Sequence, residues 1–171
     1  CGFIDNFYFD HNKFNISKKE AESMDPQQII SLVLADMLFK DSNLKKEELW
    51  GTKTGVYIGA WNTDFEGNKK SAYYALGKNN SIISARISSH YNLIGPSKVI
   101  NTACSSSLEC VYDAFKDLQS GRIDYAIAGG VNMLWSKDFT HAMKRSSFLG
   151  NSGRCKTFDN DADGYVRSEG G

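Results

Sequence analysis

Residues 98–130 read KVINTACSSSLECVYDAFKDLQSGRIDYAIAGG, and their pattern decides the fold. Val99 and Ile100 form the heart of a short strand from about Lys98 to Thr102, and the chain then turns through Ala103, Cys104 and Ser105. Leu108, Val111, Phe115 and Leu118 recur at helical spacing behind the turn, and Gly121 is well placed to stop that helix. Tyr125 to Ala128 reads as a second strand, ending in Gly129-Gly130. Strand, helix and strand in so short a span make a βαβ unit. The sheet they imply is parallel, with helices covering its faces.

Working outward, Asp25 is placed to N-cap a helix with Pro26 at N1 and Gln28 at N3, where its side chain would complete a capping box. Ile29, Ile30, Val33, Leu34, Met37 and Leu38 then predict one buried face running to about Phe39. Lys45 to Glu48 reads as a polar continuation, and Thr54 to Gly59 as a buried strand closed by glycine. Residues 61–80, rich in Asn, Gly and Lys, suit an exposed loop, and Ile82, Ile83, Ile87 and Tyr91 predict a short helix before Gly95-Pro96. Residues 1–24, with FIDNFYF at 3–9, read as aromatic and irregular.

The chain has 171 residues, with 20 Lys+Arg against 20 Asp+Glu and 41% apolar residues. That length predicts one domain with a real core, and the composition argues against disorder. Balanced charge offers no general pull on nucleic acid or anionic lipid. No apolar run approaches the roughly 20 residues of a membrane span, and no secretion signal opens the chain, so a cytoplasmic location is expected. There is no internal repeat and no linker-like tract. Cys1 at the start and Gly170-Gly171 at the end read as the edges of a fragment.

The four cysteines, Cys1, Cys104, Cys110 and Cys155, are scattered and are expected to be reduced thiols. On one helix Cys104 and Cys110 would point in different directions, which excludes a bridge between them. His11, His90 and His141 fall in no zinc-binding spacing and receive no role. Asp159, Asp161, Asp163 and Gly164 match the first half of a calcium loop, but Gly170 stands where its bidentate Glu belongs, so a solvated turn is expected instead.

Cys104 is the residue whose setting suggests chemistry. Between a strand end and the first turn of a helix, a sulfur faces unpaired backbone N–H groups and the positive end of the helix dipole, which stabilise a negative charge on it. The same N–H groups can donate to an oxyanion forming on an attacked acyl carbon. Thr102, Ala103 and three consecutive serines keep the turn small enough to expose its central side chain. Cys110 and Cys155 read as ordinary thiols.

Asn101-Thr-Ala-Cys-Ser-Ser-Ser-Leu108 closely resembles the nucleophile motif of β-ketoacyl synthase domains in type I polyketide synthases and animal-type fatty acid synthases, with Asn101 in place of the usual Asp. EAESMDPQQ at 20–28, TGVYIGA at 54–60, SARIS at 84–88, GPS at 95–97, AIAGGVN at 126–132 and GRCKTFDNDADGYVRSEG at 153–170 extend the resemblance over essentially the whole chain. It implies the N-terminal half, incomplete, of an α/β thiolase-like fold, an αβαβα layered sandwich, with residues 1–171 as part of a single domain. It further implies a homodimer in which Cys104 takes an acyl chain from the phosphopantetheine of an acyl carrier protein. A carrier-bound malonyl thioester would then lose carbon dioxide and attack the Cys104 thioester. No directly bound cofactor or metal is implied.

The family's two assisting histidines lie in HGTGT and NxGH motifs, and residues 1–171 contain neither. Met143 aligns where the family often places an aromatic side chain lining the acyl pocket. Ser168 stands where Gly is usual, which puts the local backbone in question. The rival reading is a non-catalytic remnant or interaction module lacking the histidine-bearing half. A thiolase is disfavoured by MDPQQ and the triple serine.

Overall fold

The structure, a computed structural model, describes residues 2–5, 7–61 and 63–171. Cys1, Asn6 and Asn62 lie outside them, and with Cys1 goes the reading of its thiol. The elements run α1 (Lys18–Ala21), α2 (Pro26–Asp41), α3 (Lys46–Leu49), β1 (Thr54–Ala60), α4 (Tyr74–Lys78), α5 (Ile82–Tyr91), β2 (Ser97–Ile100), α6 (Ser106–Gln119), β3 (Tyr125–Val131) and α7 (Lys137–Arg145). The three strands form one parallel sheet in the order β2-β1-β3. The expected βαβ unit is present, with β1 lying between its two strands.

Alternation along β1 divides the core in two. Val56, Ile58 and Ala60 meet α2 and α5 through Leu32, Ala35, Ile83 and Ile87, while Tyr57 turns to the other face against Cys110, Ala114 and Ile123 around α6. The result is three layers, helix on sheet on helix. No helix among the described residues is long and apolar enough to cross a membrane.

Helix α6 ends as its sequence predicts. Gly121 adopts φ +70°, its N–H bonds the Leu118 carbonyl, and Arg122 N–H bonds the Asp117 carbonyl, the paired bonds of a Schellman stop. Its buried side, however, is the reverse of the apolar stripe. Cys110 and Ala114 face the sheet, while Leu108 (71% exposed), Val111, Phe115 and Leu118 stand outward with Tyr112. Small side chains let the helix approach the strands closely, and the large ones are turned away.

Helix α2 corrects two further expectations. The Asp25 carboxylate caps it through Gln27 N–H at 2.7 Å, but Gln28 does not close a capping box. Gln28 is fully buried; its amide donates to the carbonyls of Leu76, Gly77 and Asn79, and its oxygen accepts from Arg86 Nε at 2.7 Å. Arg86 also pairs with Glu20 at 2.7 Å, which ties α1, α2, α4 and α5 together. Because α2 is apolar nearly all round, periodicity found the buried face only in part: Ile30 is buried and Ile29, Val33 and Leu34 pack partly buried against the core. Gln28, Ser31, Leu32, Ala35 and Phe39 are buried, while Met37 and Leu38 are exposed.

The stretch 61–80 is less open than its composition suggests. It contains α4, and Phe65 and Gly77 are buried. The Asp25 carboxylate accepts the Thr63 hydroxyl, and its burial raises its pKa above the ordinary carboxylate value. Residues 11–14 form a short 3₁₀ turn that buries Phe14, so the first 24 residues are not wholly irregular. Strand β2 stops at Ile100, two residues early, because Asn101 and Thr102 belong to the turn that follows. Gly129 and Gly130 lie within β3 instead of ending it.

Candidate active site

The site begins where β2 ends. Ala103, Cys104 and Ser105 form a single 3₁₀ turn, and α6 starts at Ser106. Ala103 sits at φ +55°, a left-handed conformation that a residue with a Cβ adopts at a cost of about 1–2 kcal/mol. Side chains hold it there. The Asn101 carboxamide oxygen accepts Ala103 N–H at 3.2 Å, while the Ser105 hydroxyl donates to Thr102 O at 2.8 Å. The buried Ser106 hydroxyl accepts Thr102 N–H at 3.0 Å and donates to Ala103 O at 2.6 Å. Two of the three serines are therefore internal ties of the turn, a role that residue size alone did not reveal.

Two glycines seat the turn against the sheet. A Cβ on Gly59 at the end of β1 would lie 2.8 Å from Ser107 N and 2.9 Å from the Ser106 carbonyl carbon, and one on Gly130 of β3 would lie 3.1 Å from Ser107 Cβ. The first turn of α6 thus rests directly on strand backbone. Its leading N–H groups, which have no partner within the helix, are carried to the C-terminal edge of the sheet.

Cys104 is exposed and lies on the wall of a cavity of about 950 Å³. Met143 lines the same cavity, so both sequence-selected residues converge there, with Phe139, Phe148, Val131 and Trp61 supplying apolar wall. The wall on the Met143 side is α7. The Asp64 carboxylate accepts Trp135 N–H at 3.1 Å and Ser136 N–H at 2.9 Å just before α7 begins. Trp61 meets Phe139 edge to face at 5.3 Å, and Arg167 lies over the Phe139 ring at 4.8 Å.

The segment 165–171 also lines the cavity. Ser168 keeps φ out of the left-handed region, so the backbone there makes no demand for glycine; its hydroxyl accepts Gly2 N–H at 3.1 Å. Glu169 accepts Ile4 N–H at 2.9 Å and Leu134 N–H at 3.1 Å, and Asn132 exchanges two backbone hydrogen bonds with Gly170. Nothing in the sequence pattern singled out Glu169, Arg167 or Trp61.

The other candidates lie elsewhere. Cys110 is buried under the sheet, and burial together with Asp113 and Glu109 pushes its thiol up to about 11. Cys155 accepts Val166 N–H at 3.3 Å. His11, His90 and His141 are absent from the cavity lining. Asp163 accepts Asn151 N–H and pairs with Lys156 at 3.2 Å, so this carboxylate staples a loop. Among the described residues, no three His, Cys, Asp or Glu side chains are grouped to hold a metal ion.

A parallel three-layer α/β unit with an exposed cysteine on the strand-to-helix turn, facing an apolar cavity, is the architecture of a ketosynthase-type, thiolase-like domain. The chain belongs to the β-ketoacyl synthase family: the family description "Beta-ketoacyl synthase, N-terminal domain" matches residues 1–171. It is 38% identical to the highly reducing polyketide synthase Dhc3 of Alternaria cinerariae, over 97% of this chain and 7% of that protein. It is 39% identical to polyketide synthase PksN of Bacillus subtilis strain 168, over 99% of this chain and 3% of that protein. The ketosynthase from module 6 of the bacillaene synthase of Bacillus subtilis 168 superposes with a TM-score of 0.81 at 37% identity, over 93% of this chain and 28% of that one. The chain therefore spans a small part of the curated relatives it matches.

Proposed function

We propose that residues 1–171 are the N-terminal part of a single ketosynthase domain that elongates an acyl chain in a polyketide or fatty acid synthase, with Cys104 as its nucleophile. The observation that carries this reading is the exposed Cys104 on a hydroxyl-tied turn at the wall of an apolar cavity. In the first half-reaction the Cys104 sulfur attacks the acyl carbon of a thioester on the phosphopantetheine arm of an acyl carrier protein. The carbon–sulfur bond to the carrier breaks, the carrier thiol leaves with a proton, and the acyl group remains on Cys104. In this reading a backbone N–H of the Cys104 turn donates to the transient oxyanion.

In the second half-reaction a carrier-bound malonyl unit loses carbon dioxide, and the electron pair left on its α-carbon attacks the Cys104 thioester. A carbon–carbon bond forms, the bond to Cys104 sulfur breaks, and a β-keto thioester leaves on the carrier. The resemblance assigns help in this step to histidines of HGTGT and NxGH motifs, which residues 1–171 do not contain. The acyl chain would occupy the space between Cys104 and Met143. Phosphopantetheine comes as part of the carrier, so the domain needs no tightly bound cofactor of its own. A soluble, cytoplasmic, homodimeric synthase completes the reading.

The test is direct. The parent synthase is incubated with an acyl thioester, the peptide containing Cys104 is weighed by mass spectrometry, and condensation with malonyl carrier is assayed beside a Cys104→Ala variant. An acyl adduct on Cys104 and loss of condensation in the variant are expected. Condensation unchanged in Cys104→Ala would overturn the proposal and favour the non-catalytic module.

A further inference from the structure

Helix α7 forms one side of the cavity yet has no buried residue of its own. Its register must therefore come from contacts at its surface: Asp64 anchors its start through Trp135 and Ser136, and within the helix the contacts fall on Phe139 and Thr140. Trp61 packs edge to face on Phe139 at 5.3 Å. From the other side Arg167 places its guanidinium 4.8 Å from the centre of the same ring and donates from Nη1 to Thr140 Oγ1 at 2.5 Å. Arg167 is half-buried and has no ion pair among the described residues. A planar cation held over an aromatic ring with a hydroxyl at its edge is a geometry that lysine cannot reproduce.

One helical turn past Phe139, Met143 faces the cavity that Cys104 also lines. We infer that Arg167 is a positioning residue for acyl specificity: by clamping Phe139 and Thr140 it fixes α7, and through α7 the gap between Met143 and the Cys104 turn. This rests on the proposed acylation of Cys104. The property it selects is the girth of the acyl group, through the width of the gap beside Met143. Releasing it lets α7 move outward and admits branched or aromatic acyl groups.

The experiment uses the parent synthase with Arg167→Gln and Arg167→Lys, and Phe139→Leu as an independent lesion of the same clamp. Acylation of Cys104 by butyryl and benzoyl N-acetylcysteamine thioesters is followed by mass spectrometry, and the ratio of the two kcat/KM values is compared. Arg167→Gln is expected to move that ratio about tenfold toward benzoyl, the scale of a change in pocket size. Arg167→Lys should move it less, and the double variant Arg167→Gln/Phe139→Leu no further than the larger single change. Backbone hydrogen exchange over 137–145 should rise in Arg167→Gln while that of β1 and α6 stays constant. An unchanged acyl ratio, or unchanged exchange in α7, would overturn the inference. If the wild type forms no acyl adduct on Cys104, the proposed function fails instead, and the exchange measurement still decides whether Arg167 holds α7.

Discussion

Replacing Gly59 with alanine tests how the Cys104 turn is held. The new Cβ would lie 2.8 Å from Ser107 N and 2.9 Å from the Ser106 carbonyl carbon. Ordinary contacts begin near 3.4 Å, so the start of α6 must retreat by roughly half an ångström. Both obstructing atoms are backbone, and no rotamer change relieves them. Overpacking of this kind costs about 1–3 kcal/mol, which for a domain of this size lowers the melting temperature by on the order of 5 °C. The functional effect should be larger, because displacement of a reacting group by about 1 Å can cost about a hundredfold in rate. Acylation of Cys104 in Gly59→Ala is therefore expected to slow about tenfold or more. Gly129→Ala is the control, since nothing lies within 4 Å of the Cβ it would add. Wild-type acylation and melting in Gly59→Ala would refute the reasoning.

Other consequences can be checked separately. Ser106→Ala strands the Thr102 N–H, while the Ala103 carbonyl keeps the Ser106 backbone N–H, and denaturant unfolding should show a loss of about 1–3 kcal/mol; a loss below 0.5, taken as roughly the size of a surface change, would count against the ties. Iodoacetamide at pH 8 should label the exposed Cys104 and leave Cys110, whose thiol is pushed up to about 11, unmodified until the domain unfolds. Burial, and then the Lys46 ammonium, lower the pKa of His90 below its usual 6.5, so the unfolded chain takes up the proton first. Stability should fall as pH drops through 6.5, and His90→Gln should flatten that limb of a urea-midpoint profile; an identical slope would sink the assignment. The Tyr57 hydroxyl, 2.6 Å from Asp117, and then Arg122 hold that carboxylate below its ordinary value. Its contribution is present above about pH 4 and lost as pH falls further, and Tyr57→Phe should weaken this acid-side loss.

The parallel sheet, the βαβ unit and the placement of Cys104 were legible because each rests on short-range chemistry: β-branched runs, small turn residues and Gly121 as a stop. Facing was less legible. In α6 the large apolar residues point away from the sheet: Ser106 and Ser107 rest on Gly59 and Gly130, and Cys110 and Ala114, one and two turns on from Ser106, continue the inward side. In α2 apolar residues lie on every side, so no stripe marks the core, and a buried glutamine takes a place that hydrophobicity would deny it. Met143 was reached through the family resemblance. Arg167 and Trp61 were missed because their roles arise from segments brought together only by the fold, where single-sequence periodicity carries no signal.

The central position of β1 also sets an order in time. Its neighbours are β2 and β3, and the second of these follows only after α4, α5 and α6 have been made. As the chain leaves the ribosome, β1 has one open edge until Tyr125–Val131 arrive, and pairing across such sequence distances is intrinsically slow. Gly130, one of the two seats for the Cys104 turn, is part of that last strand. The reactive turn is therefore seated only once β3 has emerged, and the cavity walls supplied by α7 and residues 165–171 follow it.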